Sequence, residues 1–516
     1  MAMILNRYYV FIACAFFLTS VIHAQVYPNS PVFREYRPDS ENKDARNDGL
    51  RKQINVFMLE RDAANGDPLA QHELGVRLLT GNGINADTVK SAHWIRKAAA
   101  QGLAPAMYNL GLLLNNGQGV EWDPFAAYRL FRAAAERGMT EAQHVTGIFF
   151  TDNLVLPQNW DSAWVWIAKA AASGYEPALH AKKEIQLRGY VRLSADSTLV
   201  ASQEESPAEN EEKPSVVEWT PLLLDFSRET QPEVLSSSVL LDELLASREF
   251  SRADSLSLGT LLEVVADSAA WLQLTRMASW GNPEALALLG RLYTEGRHVD
   301  RDNMKAASLF ATAIFLESAR APALMIDLLR NSDIPARLPD RAWGGDAQAQ
   351  YVWACLKAMD IDTRLSDSQA LELLKRAALQ RNASAVVQLG ICYATGRWVA
   401  ANQEKAEELW QQASSLRQQE ARLRLAAAAI LGQGKKLDPE FALSILEAGA
   451  KEGSLIAQVA LATSYERGVG RAVNVGEAAR RYRDCAVRGS QTGWFSLRRM
   501  YDARRPVDSD FRVAAP

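Results

Sequence analysis

Two series of glycines recur along the first part of the chain at an interval of 36 residues. One series opens each repeat, and the other lies inside the first predicted helix of the repeat: Gly66, Gly102, Gly138 and Gly174, and Gly75, Gly111 and Gly147. A period of roughly 20 to 50 residues, with one supersecondary unit in each period, is typical of a solenoid. Each unit of a solenoid contacts its neighbours, so the period predicts a stack of similar units.

The unit from Gly66 to Gly102 predicts two antiparallel helices. Asp67-Pro68 provides an N-cap followed by a proline at the first helical position, where no needed backbone donor is lost. A second helix is predicted from about Asp87 to Gln101. Small residues such as Gly75 let the two helices approach closely. One pair cannot bury its apolar faces alone, so it must stack on the next pair.

The first unit carries the pattern A-x-x-x-L-G-x-x-[YL]-x-x-G-x-G-[VI]-x-x-D-x-x-K-[AS]-x-x-W-x-x-K-A-A-x-x-G at nearly every position. This pattern resembles the Sel-one-like repeat, a subclass of the tetratricopeptide-type helical repeats. The second unit has Ala126 where lysine is usual, and the third has Asp152-Asn153-Leu154 where the G-x-G loop is usual. The resemblance implies an all-α solenoid that works as an adaptor or assembly scaffold, and it implies no catalytic chemistry.

The repeat pattern predicts two arrays of stacked antiparallel helix pairs. Array one covers residues 51–190 and holds three units, and array two covers residues 237–502 and holds about six, some of them degenerate. Between them, residues 191–236 are acidic and proline-punctuated, so this linker cannot offset its ordering entropy by burial and should be disordered. Residues 25–50 predict a flexible lead-in, and residues 503–516 form a tail.

The first 24 residues predict a secretory signal peptide. One basic residue and an apolar run precede Ala24, after which cleavage is expected. Two alternatives stay open, namely a retained membrane anchor and lipoprotein processing at Cys14. We therefore expect an exported protein, periplasmic or extracellular, with a membrane partner only if the N-terminal segment is retained and keeps the protein at the envelope.

Three further segments carry specific expectations. The apolar island from Val216 to Leu224 inside the linker either docks on a groove of the solenoid or of a partner, or packs passively on the second array. Residues Asn331 to Asp346, with two prolines, predict an irregular insertion. Cys355 and Cys392 are expected to be buried free thiols, because stacked helices lie about 8–10 Å apart, beyond the roughly 7 Å limit for a disulfide.

Four residues share one repeat phase and form a ladder: His72, Tyr108, His144 and His180. The ladder does not fit a metal site. Successive units are displaced by about 8–10 Å, whereas zinc needs its nitrogen ligands about 2 Å from one ion. We therefore expect the four residues to pack inside the array or to line its groove. A second hypothesis is that the ladder lines a peptide-binding face and makes binding depend on pH.

Tryptophans are the other candidates for partner binding, because large rigid aromatic side chains are favoured interface anchors. Trp94 and Trp166 lie at the expected core phase of second helices. Trp122 and Trp398 lie in turns between helices, so we expect them to be exposed and available to a partner.

The sequence predicts a binding protein rather than an enzyme. It contains no phosphate loop and no H-E-x-x-H motif, and Asp87, Asp123, Asp302 and Asp438 are each expected to cap a second helix. We expect no catalytic residue, no cofactor and no metal. The net charge of −4 gives no reason to expect a nucleic acid as a partner. We predict a scaffold for other proteins or extended peptide segments along its concave face; the alternative is an accessory factor of cell-wall or polysaccharide metabolism, with glycan binding or weak hydrolase activity.

Overall fold

The computed structural model describes residues 48–187, 268–296, 298–434 and 437–513. These residues form 22 α-helices and no strand, which confirms the predicted all-α fold. None of the helices in these ranges is both long and apolar enough to span a bilayer. The predicted signal peptide, nearly all of the lead-in, and the linker with Val216 to Leu224 lie outside the described residues.

The chain divides into two compact units. The array-one unit contains the described residues 48–187 together with residues 498–513. Its first eight helices are α1 (Asp48–Ala64), α2 (Pro68–Thr80), α3 (Thr88–Ala100), α4 (Ala104–Asn116), α5 (Pro124–Glu136), α6 (Thr140–Phe149), α7 (Trp160–Ala172) and α8 (Glu176–Leu187). The pairs α2–α3, α4–α5 and α6–α7 are the three predicted units.

The array-two unit contains the described residues from 268 to 497. Its helices are α9 (Ser268–Ser279), α10 (Pro283–Glu295), α11 (Asn303–Phe315), α12 (Ala321–Arg330), α13 (Ile334–Trp343), α14 (Ala347–Ala358), α15 (Asp367–Leu379), α16 (Ala383–Thr395), α17 (Gln403–Ser415), α18 (Gln419–Leu431), α19 (Pro439–Lys451), α20 (Leu455–Arg467) and α21 (Val475–Val487). The last helix, α22 (Gln491–Arg504), begins in this unit, and its residues from Arg498 onward belong to the array-one unit. Ten of the helices α10 to α21 pack as consecutive pairs, namely α10–α11, α14–α15, α16–α17, α18–α19 and α20–α21, whereas α12 packs on α11 and α13 packs on α14.

A side-chain cap starts most second helices. The Asp87 carboxylate accepts a hydrogen bond from the backbone N–H of Lys90 at 2.9 Å, and Asp302 does the same for Lys305. Asp123 and Asp438 cap α5 and α19 in the same way. These four aspartates therefore satisfy orphan backbone donors at helix starts, as the sequence predicted.

Close helix packing inside five of the pairs, α2–α3, α4–α5, α6–α7, α10–α11 and α16–α17, depends on a glycine in the first helix. A Cβ atom on Gly111 would lie 2.8 Å from Cε1 of Phe131, and one on Gly75 would lie 2.5 Å from Cγ1 of Ile95. Both distances are shorter than real Cβ contacts allow. The same contact occurs in array two, where Gly290 faces Phe310. The bulky second-helix side chain thus fills the space that the missing Cβ leaves.

The array-two unit curves until its last helix pairs meet its first. Asn282, the N-cap of α10, donates through its side chain to the carbonyl of Glu452 at 3.1 Å. The Arg276 guanidinium pairs with the Glu452 carboxylate at 3.0 Å. At the same end of this helix pair, just after α11, Glu317 accepts from the side chain and backbone of Thr492 at 2.7 and 3.1 Å. These contacts close the unit into a turn around an interior space.

The expected irregular insertion at Asn331 to Asp346 is wrong, because residues Ile334–Trp343 form the helix α13. Pro335 lies in the first turn, where no backbone donor is needed. Pro339 lies inside the helix and removes one backbone hydrogen bond. Burial of Ile334, Leu338 and Ala342 against the neighbouring pair offsets that loss.

The cysteines within the described residues are free and buried, namely Cys355, Cys392 and Cys485. This confirms the expected buried thiols. Burial raises the pKa of each thiol above its ordinary value, so all three stay protonated and behave as small apolar residues.

The glycine contact can be tested with Gly111→Ala, Phe131→Ala and the double variant. We expect Gly111→Ala alone to lower the free energy of unfolding by about 1–3 kcal/mol, because the added methyl meets the Phe131 ring. In the Phe131→Ala background the ring is gone, and alanine should stabilise the helix by about 0.5–1 kcal/mol relative to glycine. Urea unfolding measures all three variants, and a Gly111→Ala effect of the same sign in both backgrounds would contradict the contact.

Candidate functional site

The structure places most of the predicted ladder inside array one. His72 and His144 are each 2% exposed, and Tyr108 is fully buried. His180 is exposed on α8. The packing interpretation is therefore confirmed for the three buried residues, and the hypothesis that they line a peptide-binding face is wrong for them. A role of His180 in partner binding stays a prediction.

Both buried histidines are held in the neutral form. The Asn109 side-chain amide lies 2.8 Å from Nε2 of His72, so the amide donates and this ring nitrogen accepts. His144 packs edge-on to Tyr175 with ring centroids 5.6 Å apart. Burial lowers the pKa of each imidazole from 6.5 to about 4, because the low-dielectric interior disfavours the charged ring.

The expected exposure of Trp122 is wrong. Its side chain is 2% exposed and packs edge-on against Tyr501, with ring centroids 5.2 Å apart. Its indole N–H donates to the carbonyl of Asn115 at 3.0 Å. The sequence period could not show this burial, because Tyr501 comes from the far end of the chain. Trp398 is half-buried beside the Arg397 guanidinium, and its role in partner binding stays a prediction.

The core phase of the second helices lies one residue later than the tryptophans suggested. Ile95 and Ile167 are fully buried, whereas Trp94 and Trp166 are half-buried. The ammonium of Lys97 lies 4.5 Å from the centre of the Trp94 ring. The tryptophans therefore cover the edge of the core, because the residue after each of them, Ile95 or Ile167, fills the space opposite the first-helix glycine.

Within the part of the chain that the structure describes, no cluster of three or more metal-ligating side chains occurs. The candidate site is instead a half-open cavity of the array-two unit. It measures about 490 Å³ and lies in the turn that this unit makes. Its wall comes mainly from first helices, with Ala427 and Leu431 of α18 and Ile456 and Val459 of α20. Phe315 at the end of α11 closes the opposite side.

The charged groups that reach this cavity are paired within the protein. The Arg424 guanidinium contacts the buried Glu420 carboxylate at 2.8 Å. The indole N–H of Trp410 donates to the carbonyl of Val387 at 3.3 Å. Glu317 is held by Thr492 and Ser490. The remaining wall is largely apolar, so the cavity is suited to apolar side chains of a ligand rather than to a charged group.

Sequence reasoning missed this cavity. Its wall residues belong to helices that the period predicts, and small or aliphatic residues face inward on α18 and α20. The curvature of the unit could not be predicted from the repeat pattern, because it depends on a contact between Asn282 and Glu452, which lie 170 positions apart in the chain.

Five segments of the chain match the Sel1 repeat, namely residues 68–103, 104–139, 283–314, 347–382 and 383–417. The chain is 31% identical to a Sel1 repeat protein from Oxalobacter formigenes of known structure, covering 25% of this chain and 98% of that one with a TM-score of 0.24. It is 20% identical to a protective antigen of uropathogenic Escherichia coli strains displaying an SLR fold, covering 88% of this chain and 84% of that one with a TM-score of 0.30. No curated protein matches the chain.

The buried histidines predict a loss of stability in acid. Unfolded histidine binds a proton near pH 6.5 and folded His144 only near pH 4, so stability present above pH 6.5 falls as the pH drops toward 4. We expect His144→Phe to remove about 3 kcal/mol of this pH dependence. His180→Phe is the matched control, because His180 has the same repeat phase and is exposed. Urea unfolding at a series of pH values would contradict the assignment if both variants kept the wild-type slope.

Proposed function

Because the chain belongs to the Sel1 repeat family, whose members are generally protein-interaction adaptors and typically non-catalytic, we propose that it is a scaffold that binds partner proteins on the inner face of the array-two unit. The observation that supports this proposal is the half-open cavity between α11, α18 and α20. Its volume of about 490 Å³ lies in the range of ligand pockets.

The chemistry of the wall defines the partner segment. Half-buried aliphatic side chains, including Leu431, Ile456 and Val459, line the cavity. Arg424 and Glu317 are already paired. A partner is therefore recognised by apolar side chains presented on an extended segment or a helix, which such a surface buries. A glycan would need free hydrogen-bonding groups in the same wall, so protein is the better fit.

The proposed binding surface is formed mainly by first helices, which are also the helices expected to line a concave face. Residues of α16, α18 and α20 all contribute to the wall. Several neighbouring repeats thus act on one ligand, and a solenoid gains specificity from such a composite surface.

We also propose that the protein works outside the cytoplasm. The apolar run before Ala24 supports this proposal. Protein purified from native cells should begin at Gln25 when its intact mass is measured, and it should fractionate with the periplasm or the medium. An intact N-terminus in the cytoplasmic fraction would contradict export, and an intact N-terminus in the membrane fraction would instead indicate a retained anchor.

Filling the cavity should abolish partner binding. Val459→Trp places a large ring in the interior space, so we expect partner capture from the native envelope fraction to fall at least about tenfold, since blocking an apolar anchor costs on the order of 1.4 kcal/mol or more. Ala448→Trp is the matched control, because Ala448 is exposed on α19 and does not line the cavity. Quantitative mass spectrometry compares the captured proteins. Equal capture by the wild type and both variants would contradict binding in this cavity, provided that the unfolding midpoints agree.

A further inference from the structure

The C-terminal segment, residues 498–513, packs on the array-one helix α5 and on the loop that follows α6. Phe511 is 1% exposed although it follows the last helix by several residues. Its ring meets Phe125 edge-on at 5.1 Å and Tyr128 at 6.0 Å between centroids. The Arg129 guanidinium lies 5.1 Å from the centre of the same ring. A single phenylalanine thus fills an aromatic pocket on α5.

An aspartate completes the contact. The Asp508 carboxylate pairs with Arg129 at 2.9 Å. Its other oxygen accepts from the backbone N–H of Asp510 at 3.2 Å and so caps the 3-10 turn Ser509–Phe511. This turn presents Asp508 and Phe511 to the same face of α5. Arg129 therefore contacts both residues, one by charge and one by its planar face.

The neighbouring loop departs from the repeat pattern where the segment binds. The third unit has Asp152-Asn153-Leu154 in place of the usual G-x-G turn. Arg505 donates to the carbonyls of Leu154 and Val155 at 2.7 and 3.2 Å. Arg498 donates to the carbonyl of Asn153 at 2.7 Å. The altered loop thus offers carbonyl acceptors beside the aromatic pocket.

Only a few contacts hold the residues around Phe511 on α5. Val507 is fully exposed, and Arg512 is exposed. The pair between Asp508 and Arg129 is solvent-exposed, with side chains 39% and 58% accessible, so it holds the segment weakly. The buried Phe511 ring, the hydrogen bond from Arg505 to the Phe511 carbonyl at 2.8 Å and the exposed ion pair hold these residues, and such contacts can open without unfolding the helices beneath them.

We propose that the α5 face carrying Phe125, Tyr128 and Arg129 is a docking site for partner proteins with an aspartate three residues before a phenylalanine, and that residues 508–511 occupy it in cis. The chain's own tail supplies the template for that ligand. Because a tethered ligand acts at a high effective concentration, the tail keeps the site closed until a partner segment displaces it. This site lies in array one and is independent of the cavity in the array-two unit.

The test uses the full chain and a fluorescent peptide with residues 505–516, RPVDSDFRVAAP. We expect the peptide to bind the Phe511→Ala chain at least about tenfold more tightly than the wild type, as measured by fluorescence anisotropy, because the cis ligand is removed. Val507→Ala is the matched control and should behave as the wild type. Adding Arg129→Glu to Phe511→Ala should abolish binding, and so should replacing the phenylalanine of the peptide by alanine.

Each contrary outcome is informative. A Phe511→Ala chain that stays folded by circular dichroism and does not bind the peptide would overturn the proposal, and the tail would then be packing alone. If that variant unfolds, Asp508→Arg replaces it, since Asp508 is exposed; a folded Asp508→Arg chain that excludes the peptide also overturns the proposal. Light scattering that shows the wild type as a dimer through exchanged tails would overturn occupation in cis. Val459→Trp should leave peptide binding unchanged, which separates this site from the array-two cavity.

Discussion

The contact between a first-helix glycine and a bulky second-helix side chain sets the geometry of five helix pairs, three in array one and two in the array-two unit. At Gly111 the Phe131 ring lies where a Cβ would be, so the two helices pack more closely than any other residue would permit. The spacing inside one pair fixes how the next pair stacks, and small rotations repeated along the stack become curvature. In the array-two unit the stacked pairs curve until Asn282 meets Glu452, and the cavity lies in that turn.

Local features of this fold could be predicted from the sequence because they are encoded within one repeat. Caps such as Asp87 and Asp302 and the 36-residue period fix where helices begin and how many pairs form. Two local expectations were wrong for physical reasons. Prolines at 335 and 339 indicated a break, yet burial of Leu338 holds a helix there. Trp94 suggested the core phase, yet the space opposite Gly75 admits Ile95.

Neither candidate surface could be predicted, because both depend on contacts between distant residues. The cavity needs Glu317 to meet Thr492, and the aromatic pocket on α5 needs Phe511 to meet Phe125. The repeat period carries no information on which distant residues contact each other. The useful signals were departures from the repeat, namely the altered loop at Asp152-Asn153-Leu154 and the aromatic residues of α5. Trp122 was expected to be exposed and is buried, since Tyr501 covers it.

The two proposed binding surfaces would differ in how binding is controlled. In the cavity the charged groups are paired internally, so recognition depends on shape and apolar burial, which change little with salt or pH. On α5 the ligand is held by an exposed charge pair and one aromatic anchor, so release is sensitive to ionic strength and to competition. A solenoid with both surfaces can keep one partner constitutively in the array-two unit while admitting another to array one only when a matching segment displaces the tail. The repeats supply the scaffold for both, and the departures from the repeat supply the selectivity.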